Sequence, residues 1–425
     1  MMNARAVAER TRFYASLVNP NLALGYLALP RKTLDARADP LEAAMAWICR
    51  AQDASGDGGV ARSYSIVYHP YFRRKGWIPS YPETTGYIIP TVFDYAKRSG
   101  RQELFERAVR MAEWECRVQM PNGAVQGGTV DEPPTPAVFN TGQVIFGWVR
   151  AYQETGTERY LEAAIRAGEF LVTSQDADGA WRKSLSRYAS SSMASYTYNT
   201  RTAWALLVLA FATGNATYRE AAVRNIDFSL GEQTPTGWFR SNCLYDPQRP
   251  LLHTIAYSLR GILEVGIALE KPTYISAARL AADALVRMQR PDGSLAARFD
   301  EQWQPAVNYS CLTGNAQMGT VWARLYDVTG DPKYIVALQR ANRFLMTVQW
   351  LGTGHPGLDG GISGSHPLHG SYGRFEVVNW AVKFFADSLM LESAVQPMRT
   401  HGKDVDVPMR STVSWNEEFR QDDRS

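Results

Sequence analysis

The sequence lacks an excess of charge of one sign. Its 425 residues carry 45 Lys and Arg against 42 Asp and Glu, a formal net charge of +3. A general nucleic-acid-binding protein would carry a concentrated basic excess, so no nucleic-acid partner is expected. With 45% hydrophobic and 20% charged residues, the chain has enough apolar side chains for a large folded core and is not typical of disordered proteins.

Cysteine is scarce, and long apolar runs are missing. Cys49, Cys116, Cys243 and Cys311 stand far apart without a CxxC pair, which indicates neither a zinc cluster nor a dense disulfide framework. They are interpreted as small buried residues of a reducing compartment, although two disulfide bridges remain an alternative. No stretch approaches the roughly 20 apolar residues of a membrane span. The first thirty residues show no compact apolar segment, so we predict a cytoplasmic protein without a secretory signal.

What the sequence does contain is an internal repeat. Six segments that run from a glutamine to a glycine recur, with the glutamines 67, 56, 58, 56 and 60 residues apart. Glycine supplies the positive φ with which a helix commonly ends, so each segment predicts a turn after a helix. The glutamines are Gln52, Gln119, Gln175, Gln233, Gln289 and Gln349.

Each turn lies between two helical patterns. Amphipathic segments such as 159–175, 273–289 and 333–349 precede the turns, and nearly all-apolar segments such as 203–212 follow about twenty residues later. The sequence therefore predicts an all-α fold, an (α/α)6 barrel (toroid) of six helical hairpins over 41–392. An N-terminal lead-in (1–40) and a polar C-terminal extension (393–425) flank it. An open superhelix of hairpins is the alternative, although it would need polar caps at both ends.

The Gln-to-Gly turns and the six hairpins resemble the α/α-toroid superfamily. This group includes squalene-cyclase and prenyltransferase relatives, N-acylglucosamine 2-epimerases, unsaturated glucuronyl hydrolases, and the helical domains of glucuronyl C5-epimerases and several polysaccharide lyases. The chain has no DxDD acid of the squalene-cyclase type and no Cys/His set matching the zinc-dependent members. The segments YPETTGY, NTGQ and NWAVKFFADSL are similar to toroid proteins associated with polysaccharide biosynthesis. The resemblance thus implies a carbohydrate-active enzyme, without a reaction, since one fold serves many functions.

Polar and aromatic side chains recur where the inner helices begin. Because those ends surround one mouth of a toroid, we predict that they line a substrate-binding cavity. An isolated Asn or Thr there would be explained as a helix cap, but Arg, His, Lys and Gln would not. The predicted lining consists of Tyr81, Glu83, Tyr87, Asn140, Gln143, Asn199, Arg201, His253, Tyr257, Asn315, Gln317, Asn379, Trp380 and Lys383.

Arginines follow several of the turn glycines. Arg62, Arg182 and Arg240 are the predicted substrate-binding members, and Arg298 belongs to the same series. If the loops fold over the mouth, their planar guanidinium groups would suit a carboxylate or phosphate. The alternative is that each arginine stacks on an aromatic ring or binds the carbonyls of a helix end.

The types of residue predicted to line the cavity limit the reactions that the protein could catalyse. His253 and Tyr257 lie one helical turn apart and could move a proton next to a substrate carboxylate, as in a lyase or an epimerase, with Arg201 as the charge clamp. Two alternatives remain open at this stage. Glu83 with Asp359 or Glu376 could form the carboxylate pair of a glycoside hydrolase, or the chain could be a non-catalytic glycan-binding toroid.

The preferred prediction is therefore an enzyme acting on an anionic, uronate-containing saccharide, with Glu83, Arg201, His253 and Tyr257 as catalytic candidates. No cofactor and no metal are predicted. The Gly-rich segment 355–376 holds three of the six histidines and could be a lid or bind metal.

Overall fold

The protein is an all-α toroid in which outer and inner helices alternate along the chain. The computed structural model describes residues 39–185, 195–243 and 245–395. Nearly all of the predicted lead-in and extension therefore lies outside the described residues. The predicted fold class is confirmed, and the helices begin and end within a few residues of the predicted segments.

Twelve α-helices are found in the described part of the chain. The outer helices are α1 (Pro40–Ser55), α3 (Gln102–Val118), α5 (Glu158–Ser174), α7 (Ala216–Gly231), α9 (Pro272–Met288) and α11 (Pro332–Val348). The inner helices are α2 (Pro82–Ser99), α4 (Val138–Thr155), α6 (Thr200–Thr213, after a 3-10 turn at Thr197–Asn199), α8 (Leu252–Ala268), α10 (Leu312–Thr329) and α12 (Asn379–Ala394).

The inner helices form a closed ring. Each packs on its neighbours in the order α2, α4, α6, α8, α10 and α12, and α12 packs in turn on α2 and on the first outer helix, α1. Closure is thus confirmed over the open superhelix. In this ring α2 and α8 lie diametrically opposite each other, a relationship on which the geometry of the site depends.

Small residues allow neighbouring inner helices to approach closely. A Cβ at Gly86 of α2 would lie 2.6 Å from the Cα of Val144 in α4, and one at Gly147 would lie 2.4 Å from the Gly86 carbonyl oxygen. The inner helices are otherwise apolar and buried on most sides, as in Leu206 and Leu207 of α6. Burial of this apolar surface is the main force that holds the ring together.

The repeated glutamines join one hairpin to the next. In every repeat the side-chain Nε2 donates to a backbone carbonyl near the turn glycine and to a carbonyl of the following outer helix. The turn glycines must be glycine, because a Cβ at Gly179 would lie 2.3 Å from the Arg224 carbonyl oxygen. The repeated glutamines and glycines therefore form the hydrogen-bonded contacts that set the spacing of the outer helices.

A small β-sheet was not predicted. Strands β1 (Ala61–His69) and β2 (Arg74–Ser80) form an antiparallel hairpin, and β5 (Glu376–Val378) pairs with the other edge of β1. A second, two-stranded sheet joins β3 (Ser310–Cys311) and β4 (Ser365–His366). Residues of β1 alternate between buried and partly buried, but the buried ones include Ser63 and Ser65, so the sequence shows no alternation of apolar and polar residues that predicts this strand.

The four cysteines are free thiols; Cys243 and Cys311 are buried and Cys49 and Cys116 partly so. The two-bridge alternative therefore does not apply to this structure. Among the described residues, no helix has both the length and the apolar character needed to cross a bilayer.

Candidate active site

A cavity lies at the N-terminal ends of the inner helices and is called here the mouth cavity. Its volume is about 300 Å³. Helix starts supply most of its wall, and the loops after four of the Gln-to-Gly turns supply the rest. The lining residues are Arg62, Tyr81, Glu83, Tyr87, Phe139, Asn140, Tyr198, Cys243, Tyr245, Leu251, His253, Thr254, Tyr257, Arg298, Ser371, Tyr372, Gly373 and Trp380.

Glu83, the second residue of α2, is the one carboxylate in this lining among the described residues. The Tyr81 hydroxyl donates a hydrogen bond of 2.6 Å to its Oε2. Burial raises the pKa of Glu83 to about 7, with Tyr81, Arg201 and Arg62 opposing the rise. The group can therefore hold a proton near neutral pH and donate it to a substrate.

His253, the second residue of α8, faces the same cavity from the opposite helix. Burial lowers the pKa of its imidazole to about 4, so the ring is neutral at pH 7. Its Nδ1 is 2.7 Å from Oε1 of Gln317, an acceptor, so Nδ1 carries the proton and Nε2 is left as the acceptor. The hydrogen bond with Gln317 therefore fixes the orientation of the His253 ring.

Tyr257 lies one turn further along α8, as predicted, and its ring centroid is 4.4 Å from that of His253. Its buried hydroxyl interacts with the hydroxyl of Tyr87, which lies on the opposite helix α2. Burial and the nearby Glu83 raise the pKa of this phenol far above its ordinary value, so the hydroxyl stays protonated. The predicted His–Tyr pair therefore lies at the cavity.

The two predicted partners of Glu83 do not join it in the cavity lining. Burial opposes ionisation of Glu376, but Arg62 at 2.5 Å, together with His69 and Ser63, lowers its pKa to about 2. Glu376 is therefore a permanently ionised partner of Arg62. Asp359 accepts a hydrogen bond from the backbone of Thr353 and does not line the cavity. The paired-carboxylate arrangement is not formed here.

Arg201 does not reach the mouth cavity. Its guanidinium lies beneath the cavity floor, with its carbon 5.2–5.8 Å from five aromatic ring centroids, and its Nε donates to Oε1 of Gln143 at 2.6 Å. It lines a second, smaller cavity of about 50 Å³ on the barrel axis, called here the inner cavity. Lys383 lines that cavity as well and pairs with Asp387 at 2.5 Å. Both side chains are thus one layer deeper than predicted.

The remaining predicted residues at helix starts divide into two groups. Tyr81, Tyr87, Asn140 and Trp380 line the mouth cavity, and Tyr87 also borders the inner cavity. The second group, Asn199, Asn315 and Asn379, lines neither cavity.

Two members of that second group have visible structural roles. Asn315 exchanges hydrogen bonds with the backbone of Leu295, and Asn379 donates to the Ala61 carbonyl and to Thr84. These two asparagines therefore have a structural role and do not line a cavity. Their side chains supply hydrogen-bond partners that the buried backbone of the loops needs.

The arginine series also divides. Arg62 and Arg298 line the mouth cavity. Arg182 is instead bound to Asp176 and Asp178, and Arg240 to Glu232 and the Gly231 carbonyl. These last two side chains point to solvent, because acidic groups of their own turns hold them there.

Several lining residues were not among the predicted site residues. Tyr372, from the Gly-rich segment, accepts a hydrogen bond of 2.8 Å from Trp380 Nε1, and Tyr198 and Tyr245 add further phenols. That segment also supplies Ser371 and Gly373, so it forms part of the cavity wall. The abundance of tyrosine in the loops was the available signal, but it does not separate lining from packing residues.

Comparison with known proteins supports the fold. Residues 83–260 match the family model described as the squalene-hopene cyclase C-terminal domain, which is less than half of the chain. No curated protein shows a significant sequence match.

Solved structures that share the toroid include an unsaturated glucuronyl hydrolase specific for heparin. It is 15% identical, covers 83% of this chain and 96% of its own, and has a TM-score of 0.66. An unsaturated glucuronyl hydrolase from Bacillus sp. GL1 is 13% identical, with 83% and 95% covered and a TM-score of 0.64. A cellobiose 2-epimerase from Bacillus thermoamylovorans is 12% identical, with 83% and 97% covered and a TM-score of 0.64. At these identities the likeness establishes the α/α toroid fold.

Proposed function

We propose that this toroid is a carbohydrate-active enzyme that transfers a proton at a carbon of an anionic saccharide, with epimerisation as the best-supported reaction. The observation that carries the proposal is the pairing of Glu83 with His253. They face one cavity from diametrically opposite helices, and near neutral pH one can hold a proton while the other can accept one.

Opposite placement is what epimerisation needs. A sugar ring held between α2 and α8 presents one face to Glu83 and the other to His253. Removal of a proton by His253 and delivery of a proton by Glu83 would then invert the carbon. Tyr257 stays protonated and lines the cavity, so its hydroxyl is available to bind an oxygen on which negative charge develops.

The lining suits a saccharide. Six tyrosines, Phe139 and Trp380 provide flat apolar faces with polar edges, as sugar rings require. The volume of about 300 Å³ lies at the small end of the range for ligand pockets, which favours one or two sugar units. The names of the structural neighbours, glucuronyl hydrolases and a cellobiose epimerase, support the same class.

An anionic substrate is favoured by Arg298. This side chain contributes to the wall, where Glu83 is the one carboxylate among the described residues. Arg62 also lines the wall, but Glu376 already pairs with it. In the predicted mechanism Arg201 neutralised the substrate carboxylate; we assign that role to Arg298, since Arg201 is enclosed beneath the floor.

Hydrolysis with Glu83 as a single acid is the second candidate. It is favoured by the raised pKa of Glu83 and by the likeness to hydrolases named for unsaturated glucuronyl substrates. A decisive experiment must also distinguish epimerisation from elimination by a lyase and from glycan binding without catalysis.

The test is incubation with neutral and uronate-containing oligosaccharides, saturated and unsaturated, in deuterated water. Epimerisation predicts one solvent deuteron at one carbon, no cleavage, and a new stereoisomer by NMR. A new absorbance near 232 nm would indicate elimination, and cleavage with a gain of one water would indicate hydrolysis. Either outcome would overturn epimerisation, and no change with any glycan would overturn the enzymatic assignment.

Two variants connect the reaction to the site. Glu83→Gln and His253→Gln should each lower kcat by about 100-fold or more, since each removes one proton-transfer group. The matched controls are Glu103→Gln and His369→Gln, at exposed positions outside the cavity lining, which should keep wild-type rates.

A further inference from the structure

The inner cavity lies on the barrel axis beneath the mouth cavity, and all six inner helices contribute to its wall. Its lining carries three cations, Arg201, Arg260 and Lys383, and two carboxylates, Asp94 and Asp387. None of these groups transfers a proton in the reaction proposed above, and the inference that follows does not depend on that proposal.

Arg201 brings more hydrogen-bond donors than the described residues satisfy. A guanidinium has five N–H groups, and here only Nε–H donates to a protein atom, Oε1 of Gln143. The side chain is 5% exposed, and the aromatic rings around it attract its charge without accepting hydrogen bonds in its plane. The N–H groups of Nη1 and Nη2 are therefore available to an acceptor in the cavity that Arg201 lines.

The carboxylates of the wall already have partners. Asp94 accepts from Arg150 at 2.7 Å, and Asp387 accepts from Lys383 at 2.5 Å and from Thr91 at 2.7 Å. Arg260 in turn donates to Glu264 through Nε at 2.6 Å. None of the described carboxylates forms an ion pair with Arg201, and the nearby Glu83 accepts its hydrogen bond from Tyr81 instead.

Arg201 is the lining cation without a carboxylate partner among the described residues. Arg260 pairs with Glu264 and Lys383 with Asp387, whereas the Arg201 guanidinium contacts aromatic rings and Gln143. A buried cation without a paired carboxylate is costly, so the site favours a negative ligand.

We propose that the inner cavity is a binding site for one small monovalent anion, of the size of chloride, held by the guanidinium groups of Arg201 and Arg260. The volume of about 50 Å³ limits the ligand, since about 10–15 Å³ of such space holds one water. A halide with a few waters fits this space. The bound anion pairs with the Arg201 guanidinium and accepts its remaining N–H groups.

The experiment measures the melting temperature of the full chain while chloride replaces gluconate at constant ionic strength. A site that binds only the folded state raises the melting temperature in a saturable way, by about 1–3 °C for a chain of this size. Bromide should act like chloride. Crystals grown in bromide should show one anomalous scatterer within hydrogen-bond distance of Arg201.

Variants separate this site from general salt effects. Arg201→Met keeps roughly the same volume and removes the unpaired guanidinium, so it should abolish the chloride response. Arg240→Met is the matched control, because Arg240 is exposed and bound to Glu232, and it should respond like the wild type. If Arg201→Met does not fold, the position of bromide in crystals of the wild type tests the proposal instead. No chloride-specific shift, an equal shift in Arg201→Met, or no bromide at Arg201 would each overturn the proposal.

Discussion

Gln349 donates a hydrogen bond from its Nε2 to the carbonyl oxygen of Pro40 at 2.9 Å, across 309 residues of sequence. The same side chain also donates to Gly360 at 3.0 Å. This is the arrangement that the other glutamines of the repeat make between consecutive hairpins. The contact therefore joins the last repeat to the first by the same interaction that spaces the others.

Replacing Gln349 tests closure of the ring. Gln349→Ala should lower the free energy of unfolding by about 1–3 kcal/mol, because it leaves one buried and one partly buried carbonyl without their donor. Gln175→Ala, which removes the equivalent bonds to Gly179 and Ala221, should cost a similar amount. Urea denaturation measures both, with the exposed Gln304→Ala as a control near zero. A negligible effect at Gln349 alone would contradict closure.

Close packing of the inner helices predicts a cost at Gly86. In Gly86→Ala the new methyl would lie 2.6 Å from the Cα of Val144, so α2 and α4 must move apart. We expect a loss of about 1–3 kcal/mol by denaturant unfolding. Gly231→Ala is the matched control, since its Cβ would have no atom within 4 Å, and alanine should stabilise that helix position by up to about 1 kcal/mol. Equal effects at both positions would contradict the packing argument.

The Arg62–Glu376 pair predicts a pH-dependent stability. The folded pKa of Glu376 is depressed from 4.5 to about 2, so its contribution is full above pH 4.5 and is lost as pH falls through 2. At pH 7 this contribution is about 3 kcal/mol. Glu376→Gln should therefore be less stable than the wild type by about that amount at pH 7, and by less at pH 3. Urea unfolding at both pH values measures the difference, and a constant difference would contradict the assignment.

The same reasoning predicts the pH profile of activity. Glu83 must hold its proton, so kcat/KM should fall as pH rises through about 7, and His253 must be neutral, so it should fall as pH drops through about 4. A profile measured between pH 3 and 9 tests both limbs. Activity that keeps rising from pH 7 to 9 would exclude a protonated Glu83.

An anionic substrate predicts a salt-dependent role for Arg298. Arg298→Gln should weaken the binding of a uronate-containing saccharide by about 10-fold at low ionic strength, with a smaller effect at high salt because charge interactions are screened. The affinity for a neutral saccharide should not change. Isothermal titration measures both ligands, and an equal loss for the two would indicate a packing role for Arg298.

The architecture could be predicted from the sequence because local patterns that indicate helices and turns repeat along the chain. A glutamine four residues before a turn glycine and the apolar periodicity on both sides recur along the chain, and each recurrence strengthens the prediction. The hairpin of β1 and β2 was missed because it occurs once, within a segment that the repeat predicted as a loop.

The candidate site was predicted only in part. Glu83, His253 and Tyr257 were identified from residue type and position at a helix start, and the structure places all three at the mouth cavity. Arg201 was predicted by the same reasoning and lies in the layer below. Position along a helix shows which side chains are near an opening, but depth along the barrel axis depends on how neighbouring helices pack.

The sequence by itself determined the number of hairpins, the alternation of amphipathic and buried helices, and the set of residues that begin the inner helices. Those features follow from periodicity and turn chemistry, which act over a few residues. Only the tertiary structure decided that Glu376 belongs to Arg62, that His253 faces Glu83 across the ring, and that Arg201 is left without a carboxylate among the described residues. Those relationships join residues from different helices and loops, and burial then sets their charges.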